Sequence, residues 1–191
     1  MDQNTMLQKV KDRLPENRYN HVVGVVETAT RMAQDFNVSV ENAQTAAILH
    51  DVAKFSDRDW MKSILISEEM DPLLLEYHAE LWHAPVGAYL AKQEFGVEDE
   101  DVLNAIRYHT TGRAGMSDLE KIVYIADLVE PNRKFSGVDQ LRQLKEQGLD
   151  VMMEASVKHS IEFLVSKNQP VYPDSLKCLN DFTKQKGKVN E

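Results

Sequence analysis

Ala46-Ala47-Ile48-Leu49-His50-Asp51-Val52-Ala53-Lys54 is a small, apolar run that ends on an adjacent imidazole and carboxylate. Taking His and Asp out of water among Ala, Ile, Leu and Val is costly unless the two are paired or hold a metal. The alanines favour a helix that packs closely on its neighbour, and Lys54 places a basic group just beyond the pair. Alone, such a pair is as readily structural as ligating. Its weight comes from His21, His83, His109 and Asp127, which recur at helix-sized intervals beside apolar stretches.

The rest of the chain bounds what this cluster serves. At 191 residues, 42% hydrophobic and 28% charged, the chain is long enough to bury a core and reads as one globular domain over 1–191. The main body covers about 7–172, followed by a C-terminal helix and tail over 173–191. A net charge of -9 argues against broad electrostatic binding to nucleic acid. It leaves room for a small anionic substrate held by metals and a few basic side chains. The one cysteine, Cys178, fits a reducing compartment. The first residues lack a basic and apolar leader pattern, and no apolar run reaches the ~20 residues a membrane span needs. The expectation is a cytoplasmic protein with no membrane partner.

Helical periodicity runs through the sequence and strand-like alternation is nearly absent, so the fold class is all-α. The first helix is expected around Met6 to Leu14, stopping near Pro15. Glu16 to Phe36 follows, with Val22, Val25, Val26, Ala29, Ala33 and Phe36 on its core face. His21 lies at the margin of that face, with Arg18 one turn before it. Gly24, one turn after, permits close approach of a ligand or another helix. Val40 to Lys54 is the third helix, with Ser39 as its N-cap. On that helix His50 and Asp51 are about 100° apart around the axis, and they converge on one centre if Asp51 uses both oxygens. Further helices are expected over Arg58 to Ile66, Leu73 to Leu81, His83 to Phe95, and from Asp99 or Glu100 to His109. Four more cover Asp118 to Val129, Val138 to Glu146, Leu149 to Lys167 and Ser175 to Lys184. Pro85 falls in a first turn, where proline is tolerated, and Gly96 is a natural stop. The tail from Lys186 to Glu191 is expected to fray.

Four imidazoles (His21, His50, His83, His109) and two carboxylates (Asp51, Asp127) suit Fe, Mn, Co, Ni or Zn. Six ligands exceed a tetrahedral zinc site. They fit one octahedral metal, or two metals with open positions for water and substrate. Any one of these histidines taken singly is more often a hydrogen-bonded structural residue; the set favours metal. His78 and His159 fall outside it. Lys54 and Arg133, just beyond His50-Asp51 and Asp127, are either surface charges or phosphate contacts. Thr110 and Thr111 either orient a phosphate or stabilise a turn. Tyr172, on the turn Gln169-Pro170-Val171-Tyr172-Pro173, either packs on a base or ribose or docks the last helix as a buried aromatic.

The order His21, His50-Asp51, Asp127 resembles the ligand order of the HD-domain phosphohydrolases, and the inserted His83 and His109 resemble their binuclear subset. Arg18-Tyr19-Asn20-His21, Leu49-His50-Asp51-Val52-Ala53-Lys54, His109-Thr110-Thr111-Gly112 and Ala126-Asp127-Leu128-Val129-Glu130-Pro131-Asn132-Arg133 are similar to the YqeK family within them. The resemblance extends from about Leu7 to Tyr172. It implies an all-helical HD fold and a centre of two metals, iron first among them. His21, His50, Asp51 and Asp127 would hold one metal; Asp51, His83 and His109 would hold the other, with Asp51 bridging. The implied reaction splits diadenosine tetraphosphate (Ap4A) into two ADP by water attack on an inner phosphorus, and the implied assembly is a homodimer. In that setting Asp51, Lys54 and Arg133 are the catalytic candidates. Arg18, His21, Gly24, Lys54, Thr110, Arg133 and Tyr172 are the candidates for substrate contact. Three alternatives stay open: hydrolysis of another nucleotide or an alarmone, a metal-stabilised nucleotide-binding regulator without turnover, and a plain structural helical protein.

Overall fold

The structure is a computed structural model that describes residues 1–185. The helix α1 (Gln3–Lys11) starts on Asp2, whose side chain accepts from the Thr5 amide. It begins and ends three residues earlier than the spacing predicts, because Asp2 supplies the cap. Pro15 instead opens α2 (Glu16–Asp35). Ser39 caps α3 (Val40–Leu49) as expected, and Asp57 caps α4 (Arg58–Ser67). The expected helix over Leu73 to Leu81 is two short 3₁₀ turns, Pro72–Glu76 and Ala79–Leu81, capped by Asp71 and His78. Then come α5 (His83–Phe95) and α6 (Glu100–Arg107), with Gly96 ending the first at φ +70° and Asp99 capping the second. A capping box from Ser117 and Glu120 starts α7 (Asp118–Val129). The chain continues through α8 (Val138–Gln143), a 3₁₀ turn, α9 (Leu149–Ser166) and α10 (Pro173–Gln185). The described residues contain no strand. The expected frayed tail, 186–191, lies outside the described residues.

One connected core joins these helices. The helix α3 is its hub, packing on α1, α2, α5, α6 and α7. Ala43, Ala46 and Ala47 are fully buried, and their small side chains let α2 come close on that face. Ile122, Val123, Ile125 and Ala126 put α7 in the same core. Fully burying each such branched side chain stabilises by about 1.5–3 kcal/mol before entropy is subtracted.

The sequence extends α3 to Lys54, but the helix stops at Leu49. From there the chain tightens into i→i+3 turns, with Val52 N donating to Leu49 O and Lys54 N to Asp51 O. The His50 ring bonds the Ala47 carbonyl at 2.7 Å, competing for an acceptor the helix would have used. This break takes His50 and Asp51 off a helical ladder and turns both toward the interior.

The loop after His109 is held from two sides. Arg113 donates to both Glu120 oxygens at 2.8 and 2.7 Å, and Glu120 is buried. From α10, Cys178 packs beneath Gly112, where a Cβ would lie 2.8 Å from its sulfur. Gly112 and Gly115 both have positive φ, +64° and +70°, so alanine at either costs about 1–2 kcal/mol in backbone strain alone. A Cβ at Gly115 would meet nothing within 4 Å. Gly112→Ala is therefore expected to lower the urea midpoint further than Gly115→Ala at unchanged m, by the added collision with Cys178. Equal losses would show that α10 yields freely at this contact.

Candidate metal centre

Asp51 is the middle of the site. It is fully buried, and its two oxygens face different partners. Oδ1 lies 3.2 Å from His83 Nε2 and 3.9 Å from His109 Nε2. Oδ2 lies 3.2 Å from His50 Nε2 and 3.8 Å from His21 Nε2, and Arg18 Nε sits against it. Asp127, from α7, reaches His21 Nε2 with Oδ1 at 2.9 Å. All six residues expected as ligands therefore meet in one place, carried by α2, the turn after α3, the start of α5, the end of α6 and α7.

The outer ring nitrogens fix which way each imidazole faces. His50, His83 and His109 direct Nδ1 at the carbonyls of Ala47, Glu80 and Ile106, at 2.7, 2.6 and 2.8 Å. A carbonyl only accepts, so Nδ1 carries the proton and Nε2 presents a lone pair to the centre. His21 directs Nδ1 at Glu130 Oε1, 3.1 Å away. His83 Nε2 and His109 Nε2 face each other at 3.1 Å, two lone pairs with no proton to share.

Among the described residues, the buried side-chain atoms without a hydrogen-bond partner are Arg18 Nε, His21 Nε2, His50 Nε2 and both oxygens of Asp51. All belong to this cluster. A buried carboxylate that makes no hydrogen bond on either oxygen, with one guanidinium nitrogen against it and imidazole nitrogens around it, is matched by a bound cation. His21, His50 and Asp127 come within metal-sharing distance as one group, and His50, Asp51 and His109 as another. The donor set fits a divalent metal.

Electrostatics keep Asp51, Asp127 and His109 deprotonated, whereas the Asp51 carboxylate, working against burial, raises His50. Burial acts to raise Asp51, but the imidazoles of His50 and His83 hold it well below the carboxylate range. The same holds for Asp127, where His21, His50 and Arg133 outweigh burial. Burial, with His50 and His83 beside it, pushes His109 down to about 3.

The expected substrate contacts divide. Arg18 reaches the centre itself. Arg133 donates to the Asp127 carboxylate at 2.6 Å and to its carbonyl at 2.8 Å, so it fixes that ligand. Lys54 pairs with Glu80 at 2.9 Å on the rim, bracing the turn whose carbonyl orients His83. Thr110, Thr111 and Tyr172 line a cleft of about 520 Å³ between α5, α6 and the start of α10, whose wall contains none of the six ligands. Tyr172 is buried, donates its hydroxyl to Asp71 at 2.6 Å and packs edge-on against Tyr77. At Gly24 the close approach is made by Glu130, whose carboxylate fills the place of a Cβ. His78 caps a 3₁₀ turn and His159 stacks on Phe135.

Sequence reasoning passed over Glu130. The signal was present: it lies three residues after Asp127, at the end of α7, and directly precedes Pro131.

The HD domain family matches residues 18–132. The chain belongs to the HD-domain family. Within this family it is 50% identical to a symmetrical bis(5'-nucleosyl)-tetraphosphatase of Bacillus subtilis, over 94% of this chain and 97% of the relative. It is 46% identical to a protein of the same description from Halalkalibacterium halodurans, over 95% and 97%. The crystal structure of a predicted HD superfamily hydrolase involved in NAD metabolism from Clostridium acetobutylicum superposes with a TM-score of 0.92 at 36% identity, covering 97% of this chain and 98% of that one. The YqeK resemblance and the all-helical HD fold are thus both found, the chain is an HD-domain hydrolase, and its His/Asp groups suit a divalent metal. No described helix is long and apolar enough to cross a membrane.

Proposed function

We propose that this HD-domain protein hydrolyses Ap4A symmetrically to two ADP at a two-metal centre, with iron as the first choice of metal. The whole chain acts as one domain, and the working form is a cytoplasmic homodimer. The observation that carries the two-metal reading is the division of Asp51, whose Oδ1 faces His83 and His109 while Oδ2 faces His21 and His50. In this reading His21, His50, Asp127 and Asp51 hold one metal, and His83, His109 and Asp51 hold the other.

When bound, a pair of divalent metals supplies Lewis acidity toward a phosphoryl oxygen and a water made acidic enough to attack near neutral pH. The protein's own part is positional and electrostatic. Asp51 fixes the spacing of the two positions. Arg133 holds Asp127 in place, and with Arg18 and Lys54 it sets positive charge beside the transferred phosphoryl group, where negative charge builds up in the transition state. ADP leaves as a phosphate anion, so no side chain needs to protonate it. Thr110 and Tyr172 lie on the cleft beyond His109 and give the substrate a polar and an aromatic contact there.

Protein purified anaerobically with iron, freed of excess metal and given Ap4A, is expected to yield ADP as sole nucleotide product with about two metals per chain. AMP with ATP would move the attack to an outer phosphate and overturn symmetrical cleavage. Full metal content with no turnover of Ap4A would assign the centre to another nucleotide.

A further inference from the structure

Three of the four central histidines sit at element boundaries. His50 follows α3, His83 begins α5 and His109 follows α6. Each uses the carbonyl three residues back to hold its Nδ1 proton. His21 cannot do this, because it lies inside α2, where those carbonyls belong to the helix. Its Nδ1 is met instead by Glu130, which is 1% exposed.

Glu130 is itself fixed from several directions. Its Oε2 accepts from the Asn132 amide at 2.7 Å. Arg142 donates to the carbonyls of Val129, Glu130 and Arg133 at 2.9, 2.7 and 3.1 Å, closing the turn that carries it. Gly24 leaves the space: a Cβ there would overlap Oε2 and lie 3.2 Å from Cδ. A carboxylate behind a ligating imidazole orients the ring and makes it a stronger donor than a carbonyl does. The two sides of the centre are therefore unequal. The His21 side has Asp127, one oxygen of Asp51 and Glu130 behind it; the His83 side has the other oxygen of Asp51 and carbonyl-backed imidazoles.

We propose that Glu130 is a positioning residue, given its room by Gly24, that makes the His21 side the tighter of two metal positions. The proposal rests on the two-metal reading. Calorimetric titration of the metal-stripped full chain with Mn²⁺ is expected to show two steps. Glu130→Gln keeps the shape and removes the charge, and it is expected to weaken the tighter step by about 10–100-fold while leaving the weaker step in place. Gly24→Ala alters no polar group; its methyl displaces the Glu130 carboxylate, so it is expected to weaken the same step. It also carries the test if Glu130→Gln does not fold. A tighter step unchanged in either folded variant overturns the role of Glu130, and so does equal weakening of both steps. A wild-type chain that takes up fewer than two equivalents of Mn²⁺ overturns the two-metal reading, and the proposal falls with it.

Discussion

Asp51→Ala is expected to abolish Ap4A turnover and to strip metal from both positions at once. Asp51 sends Oδ1 to His83 and His109 and Oδ2 to His21 and His50, whereas His50, which also falls in both groups, has one ring nitrogen to offer. Removing His109 or His21 leaves the opposite group intact; removing Asp51 leaves neither complete. A loss of at least about a thousandfold in kcat/KM corresponds to about 4 kcal/mol of transition-state stabilisation, a modest demand for a carboxylate that the two-metal proposal shares between both positions. The fold should survive. Asp51 lies in the turn beyond α3, and its structural backbone bond, accepted from Lys54 N at 2.9 Å, does not involve the side chain. Metal analysis, circular dichroism and chromatography of the nucleotide products on one preparation separate the effects. Native helicity with neither metal nor turnover is the expected result. Wild-type metal content in the alanine variant would remove Asp51 from the bridging position.

Much of this centre was legible in the sequence, because burying imidazole and carboxylate in apolar runs leaves few reasons for their presence. His21, His50, Asp51, His83, His109 and Asp127 all meet, although they come from five separate segments. A cap with a side-chain mechanism was legible too: Ser39 stands where the sequence puts it, and the helix expected to open at Asp99 or Glu100 starts at Glu100 with Asp99 as its cap. What periodicity could not give was the end of α3. Val52 and Ala53 continue the apolar pattern, so nothing local announces that the backbone tightens after Leu49. The stretch from Pro72 to Leu81 failed differently, since Asp71 and His78 cap single turns that apolar spacing cannot distinguish from a helix. Gly24 shows the limit for site residues. A mid-helix glycine announces a close approach, but only the fold reveals that the approaching group is Glu130, more than a hundred residues later.

Metal should also be a large part of the protein's stability. Without it the centre holds the two oxygens of Asp51 and the Nε2 atoms of His21 and His50 buried and without a hydrogen bond, with Arg18 the one guanidinium against the carboxylate. A ligand that binds only the folded chain stabilises it by about 4 kcal/mol at a thousandfold excess over its dissociation constant. At about 2–4 °C per kcal/mol for a domain of this size, Mn²⁺ or Fe²⁺ should raise the melting temperature by about 10 °C. Stability should also fall with acid even without metal, and the sign follows from the shifts. His109 is pushed down from 6.5 to about 3. The unfolded chain thus takes up a proton at that group before the folded chain does, and stability present above pH 6.5 is lost as pH falls toward 3. Asp51 and Asp127, held below the carboxylate range, act in the same direction at lower pH. His50, raised by Asp51, contributes the opposite way, with its share present below 6.5 and lost above its folded value. Three groups pull toward acid lability against one. Bound metal extends the loss, because protons compete with it for the imidazoles. Melting curves of stripped and metal-loaded protein across this range check both claims. A metal-induced shift that is small, or that persists in Asp51→Ala, would show that the cation binds somewhere other than between these histidines.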